Sequence, residues 1–320
     1  MEIYINSSFA ISPYDSSRNF IGMKDGRFAC IEPDYDNILD ARQLRRMSRI
    51  MKMALTAAKK AIDDNGNINP DAIITATGLG CLEDTGTFLT KISDPDNRMM
   101  NPTSFIQSIH NTMAGQISLF LRNTCYNNTF TQTSLSFEHA LFDAVMLLNE
   151  KPDNSVLLGG IDELTTLKFD LAERLHLAEK RSNGYYGQGE GSAFFTLSGH
   201  KSKVIVKEFI LPFMGDHSDI GNYIEAKVDT NDAILLSGNP GNLQDPDDET
   251  IKQLFEDDRI IDYKQYCGDY PTSSSFAFWM ANQLLNGGIG MPDLDSDLSD
   301  VIIHHSYPGN SQSLIHLCRS

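Results

Sequence analysis

Short apolar runs rich in β-branched residues constrain this chain more than any other feature. Residues 71–77 (DAIITAT), 155–160 (SVLLGG) and 232–236 are mostly apolar or glycine, and 300–305 carries the apolar run Val301-Ile302-Ile303. A strand with one wet face alternates polar and apolar residues, so runs like these call for a sheet covered on both sides. Helix-period segments separate them at residues 42–64, 137–148, 249–255 and 270–285, and further strands fall at 2–9, 203–210 and 313–317. The alternation passes through the chain twice, with a seam near residue 200 and no Pro- or Ser-rich linker. This predicts an α/β protein with a layered α/β/α/β/α body made of two similar halves, residues 1–200 and 201–320, acting as one compact unit. Residues 10–40 read as an irregular excursion.

The densest local signal is residues 101–144. A loop leads into an amphipathic helix carrying Ile106, Ile109, Met113, Ile117, Phe120 and Leu121, then a short strand at 128–133, then a tight turn that opens a second helix at Ser136. Such an elbow can present a nucleophile at a helix N-terminus, where the dipole and free N–H groups favour an anion. Ser134 and Ser136 stand there, and neither is a cysteine. Three other groupings stay open between a bland and a sharp reading. Asp162 and Glu163 follow a strand at its carboxyl end and suit either acid/base work or loop and cap hydrogen bonding. Arg42, Arg45, Arg46, Arg49 and Lys52 share one helix face, which suits either solvent or a docked anion or partner. His304 and His305 end a strand and point to opposite faces. His110 and His139 read as structural.

Composition removes several classes. A net charge of -17 leaves nucleic acid without the clustered Lys and Arg that phosphates need. The N-terminus MEIYINSSFAIS lacks a basic and apolar leader, and no eighteen apolar residues stand together, so the expectation is a cytoplasmic protein with no membrane span. Five scattered cysteines, with no Cys-x-x-Cys, predict reduced thiols and no metal site. Gly78-Leu79-Gly80 lacks the third glycine of a dinucleotide fingerprint, and no cofactor is expected.

Landmarks along nearly the whole chain resemble the beta-ketoacyl synthases of the thiolase-like fold. They are Asn101-Pro102, Asn111 with Ala114-Gly115, the strand and small-residue turn, and Gly189-Glu190-Gly191 before an apolar run. In the second half Gly238-Asn239 takes the place of a His-Gly turn, and Lys264 stands where the family has lysine. Cys267-Gly268-Asp269 fills a Gly-His slot, and Tyr307-Pro308-Gly309-Asn310 resembles a degraded gate motif. The family's nucleophilic cysteine precedes an Ala-Leu pair by about six residues, which here lands on Ser134. The resemblance thus arrives with Ser134, Gly238 and Asp269 in place of Cys, His and His. Decarboxylative condensation needs the thiolate and both imidazoles.

What the resemblance implies is therefore a non-catalytic subunit, similar to the chain length factors of type II polyketide systems, aryl polyene pathways in particular. Such a subunit pairs with an active ketosynthase in a heterodimer, shapes the acyl tunnel and meets acyl carrier protein only indirectly. By that resemblance Phe105, Ile109, Asn111, Met113 and Phe130 would line the interface or tunnel, and Tyr307, Gly309 and Asn310 the gate. Two alternatives remain: an acyltransferase or 3-oxoacyl synthase using Ser134, with His305 and Asp269 in support, or a homodimeric acyl-binding scaffold.

Overall fold

The computed structural model describes residues 1–40, 44–45, 47–94, 102–175, 180–181, 184–185, 187–211, 218–238, 246–289, 298–307 and 311–320. Among them the sheet strands are β1 (Ile3–Ile11), β2 (Ala72–Ala76), β3 (Tyr126–Phe130), β4 (Ser155–Asp162), β5 (Gly191–Ser198), β6 (Val204–Ile210), β7 (Ala233–Ser237), β8 (Ile260–Asp262), β9 (Asp300–Tyr307) and β10 (Ser311–Arg319). They form one ten-stranded sheet in the order β8-β7-β9-β10-β6-β1-β5-β4-β2-β3. In each half the first strand lies antiparallel to the fifth, the fifth antiparallel to the fourth, and the fourth, second and third run parallel. The two halves thus repeat one topology, and β1 joins them by a short antiparallel pairing with β6 at Ile3, Tyr4 and Ile5. The apolar runs account for the inner parallel strands β2, β4 and β7, which are buried along their length, whereas the edge strands β3 and β8 are not.

Helices fill three layers around this sheet. Between the two halves lie α5 (Ser136–Glu150) and α10 (Ser273–Asn286). The latter packs on β5, β1 and β4 of the first half and on β9, β10 and β6 of the second. Outside the first half lie α1 (Arg49–Asp64) and α4 (Thr112–Leu121), and outside the second α7 (Ser218–Lys227) and α8 (Pro246–Lys252); α6 (Thr166–Arg174) follows β4, and the short α9 (Lys264–Cys267) leads into α10. Period-two alternation divides the side chains between layers. Ile74, Leu158 and Ile234 join the central core, while Ile73 and Leu157 join one outer core and Leu235 the other. The layered body read from the sequence is borne out.

Element boundaries differ in instructive ways. The long helix expected from residue 42 is interrupted at Ser48, which is extended (φ -66°, ψ 166°), so that α1 starts at Arg49. The helix expected through Ile106 and Leu121 is two, α3 (Pro102–Gln107) and α4, with α2 (Leu82–Ser93) before them. Hydroxyls end α3: Ser108 Oγ donates to the Phe105 carbonyl at 2.8 Å and Thr112 Oγ1 to that of Ile106 at 2.7 Å. They replace the backbone donors that would continue the helix. The excursion at 10–40 is pinned to the body. Cys30 N–H donates to Glu190, Glu32 pairs with Arg49, and Tyr14 meets Tyr266 edge-on at 5.1 Å. Among the described residues no helix is long and apolar enough to cross a membrane.

Candidate functional site

The elbow forms at the expected place, but its strand is Tyr126–Phe130 and not 128–133, because the backbone turns out of the sheet before Thr133. After β3 a 3-10 turn, Thr133–Leu135, feeds α5, and Thr133 takes a left-handed φ of 50°. Ser136 Oγ holds the turn by reaching the Thr77 carbonyl at 3.0 Å and the Thr133 carbonyl at 2.7 Å. Ser134 is half-buried beside it, and Ser136 is buried and structural. His139, one turn on, bonds the Leu135 carbonyl through Nδ1 and stacks on Phe130.

Asp162 ties this elbow to the second half of the chain. Its fully buried carboxylate accepts from Thr77 Oγ1, the Gly78 and Leu79 N–H groups, and both the N–H and Oγ1 of Thr272 at 2.9–3.1 Å. Burial pushes this carboxyl up, and the donors around it pull the other way. Gly78 lies so close to Pro271 that a Cβ would fall 2.2 Å from that ring and 3.3 Å from the Thr133 carbonyl. Residues 133–136 and 269–272 therefore share a seam. The open reading of Asp162 and Glu163 resolves as hydrogen bonding to backbone: Glu163 accepts from the Glu83 N–H at 2.9 Å. Burial raises the Glu163 carboxyl to about 7.

The second half brings Gly238, Lys264, Asp269 and His305 around the end of β7. Lys264, 2% exposed, donates through Nζ to the half-exposed Asp269 carboxylate at 2.5 Å. The Asp269 backbone pairs with Gly187 and Gly189 across the seam. His305 is buried, and its Nδ1 is hydrogen-bonded to the Tyr263 hydroxyl at 2.9 Å. Desolvation, with Lys264 and His304 nearby, holds its pKa well below the usual range, so it is a neutral imidazole. His304 faces away and bonds Gln312 through Nε2. Gly238 has no room for a side chain: a Cβ would stand 2.2 Å from Tyr263 Oη.

The remaining predicted residues are spread out. Phe105 and Ile109 are exposed, as is Asn111, whereas Met113 is buried in the outer core of the first half. Phe130 packs partly against the central core. Gly309 and Asn310 of the gate-like turn lie outside the described residues, as do Arg42 and Arg46, and Tyr307 is described only as backbone in β9. Arg49 is no free surface cation: it forks onto buried Glu190 at 2.6 Å and 2.6 Å. Tyr263 escaped sequence reasoning, although a glycine in a side-chain position signals that a neighbour has taken the volume. No group of three or more His, Cys, Asp or Glu able to hold a metal occurs among the described residues.

Residues 31–172 match the profile of the beta-ketoacyl synthase N-terminal domain family. No curated protein matches the chain. Solved structures align over its full length. A chain of the ishigamide ketosynthase/chain length factor has a TM-score of 0.74 at 16% identity, with 100% of this chain and 99% of that one covered. The ketosynthase ApeO in complex with its chain length factor ApeC, from Xenorhabdus doucetiae, gives 0.75 at 13% identity, with 100% and 98% covered. A beta-ketoacyl synthase from Burkholderia phymatum STM815 gives 0.74 at 14%, with 100% and 99% covered. The fold is that of the ketosynthases. The chain has the thiolase-like fold, and residues 31–172 are similar to the beta-ketoacyl synthase N-terminal domain.

Proposed function

We propose that this chain is a non-catalytic ketosynthase-like subunit that pairs with an active ketosynthase and shapes the tunnel holding its growing acyl chain, in polyketide- or fatty-acid-type biosynthesis. The observation that carries this reading is the state of the three condensing positions. Ser134 replaces the thiol, Gly238 carries no side chain, and Asp269 offers Lys264 a carboxylate where a neutral imidazole would be required. Serine needs an activating base near neutral pH, and His305, the base considered for that role, has its Nδ1 hydrogen-bonded to the Tyr263 hydroxyl. The similarity to chains from ketosynthase and chain length factor complexes supports the pairing. The exposed Phe105, Ile106 and Ile109 of the region after α2 supply apolar surface for it.

Intact-mass spectrometry tests this. The chain is incubated with acyl and malonyl carrier-protein thioesters, alone and co-expressed with the ketosynthase of its pathway. The expected result is an unmodified chain in a co-purifying complex whose partner cysteine is acylated. An acyl mass on this chain alone, removed by Ser134→Ala, would make it an enzyme in its own right.

A further inference from the structure

Gly238 and Tyr263 stand 25 positions apart on different elements, yet they occupy one volume. An ideal Cβ on Gly238 would lie 2.2 Å from Oη, 2.4 Å from Cζ and 2.5 Å from Cε1 of Tyr263. All three atoms belong to one rigid, fully buried phenol, so the collision cannot be relieved by swinging a flexible side-chain tip. Neither side can retreat. Gly238 N–H donates to the His304 carbonyl at 2.9 Å and Tyr263 N–H to that of Ser237 at 3.2 Å. The ring is held at its far end by His305 Nδ1, at 2.9 Å, and by edge-on packing of the two rings at 69°.

We infer that Tyr263 is a stopper in the condensing pocket: its phenol takes the volume that a catalytic side chain at position 238 would need, so packing as well as substitution closes the site to condensation. This rests on the reading of the chain as a silent ketosynthase-like subunit. Burial, together with Cys267, Glu138 and Asp269, keeps the phenol protonated, while His305 stays neutral, so the bond between them persists across the physiological pH range. Restoring the lost nucleophile and imidazoles by Ser134→Cys, Gly238→His and Asp269→His would leave the stopper in place. The three changes give no condensing activity without a fourth at Tyr263.

A double-mutant cycle reads the shared volume directly. Gly238→Ala is made in the parent, in Tyr263→Phe, which keeps the ring, and in Tyr263→Ser, which removes it. Overpacking a rigid core should lower the melting temperature by about 4 °C or more in the first two backgrounds and by about 1 °C or less in the third. Should Gly238→Ala give no soluble protein, the same cycle is read as recovery of soluble yield on adding Tyr263→Ser. Equal losses in all three backgrounds, no loss in the parent, or no recovery would each overturn the stopper. Acylation of Ser134 in the parent would sink the silent-subunit reading and leave this cycle as informative as before.

Discussion

Glu163 is 4% exposed, and burial raises its carboxyl from 4.5 to about 7. The folded state then holds the proton more tightly than the unfolded chain, so its stabilising effect is complete below about pH 4.5 and is lost as pH rises through about 7. The parent should lose roughly 3 kcal/mol of stability across that window from this group. Glu163→Gln keeps an oxygen for the Glu83 N–H and should flatten that part of the profile, measured by urea unfolding at pH 5, 6, 7 and 8. A profile as steep in the variant as in the parent would place the titration elsewhere. Arg49 offers a second test. Glu190 is 1% exposed and receives the Arg49 fork, the Cys30 N–H and the Leu164 N–H. Arg49→Ala leaves that carboxylate short of its counter-ion and should cost about 2–3 kcal/mol, read from the denaturant midpoint at constant slope. The sequence shows Arg49 only as one of several cations on a polar helix face, because its partner lies 141 positions away. A bond that distant leaves no local pattern.

The elbow depends on one junction, in which the end of β2, the end of β4 and the start of α10 meet on Asp162. Asp162→Asn replaces an oxygen that only accepts with an amide that must donate, and its neighbours there are donors. A loss of about 2–4 kcal/mol is expected, with increased protease cutting near residues 133–136 as the local readout. Unchanged cutting there would mean that the elbow is held by Ser136 alone. The elbow itself was legible, since a strand, a small-residue turn and an apolar helix are local features. So were most strands of the sheet, whose apolar runs need no partner to be seen. The start of α1 and the break between α3 and α4 were hidden. Both are decided by hydroxyls and an extended Ser48 inside segments whose apolar spacing reads as unbroken helix. Strand order was hidden too: β1 pairs with β5 and β6, each encoded about 190 residues or more away.

The repeat of one topology in both halves gives the sheet two outer strands, β3 in the first half and β8 in the second, and their surroundings differ. β8 is three residues long, and its neighbourhood carries Asp257, Asp258 and Asp262. On and near β3, exposed apolar side chains stand among polar ones: Tyr126 is 45% exposed, Met146 on α5 47%, and Leu119 on α4 72%. Under the heterodimer reading, exposed apolar side chains near a sheet edge would be covered by the partner. A net charge of -17 adds a second condition, because long-range repulsion disfavours a strongly acidic partner and leaves apolar contact as the main attraction. Under the heterodimer reading, Leu119→Asp should weaken co-purification with the ketosynthase at least tenfold while moving the melting temperature of the isolated chain by no more than about 1 °C, since an exposed position contributes little to folding. An acidic side chain on the outer strand's opposite counterpart, as in Ile260→Asp, is half-buried and should do the reverse, lowering the melting temperature with little effect on pairing per folded molecule. If Leu119→Asp leaves pairing intact, the covered face is elsewhere and the β3 edge is not where the partner sits.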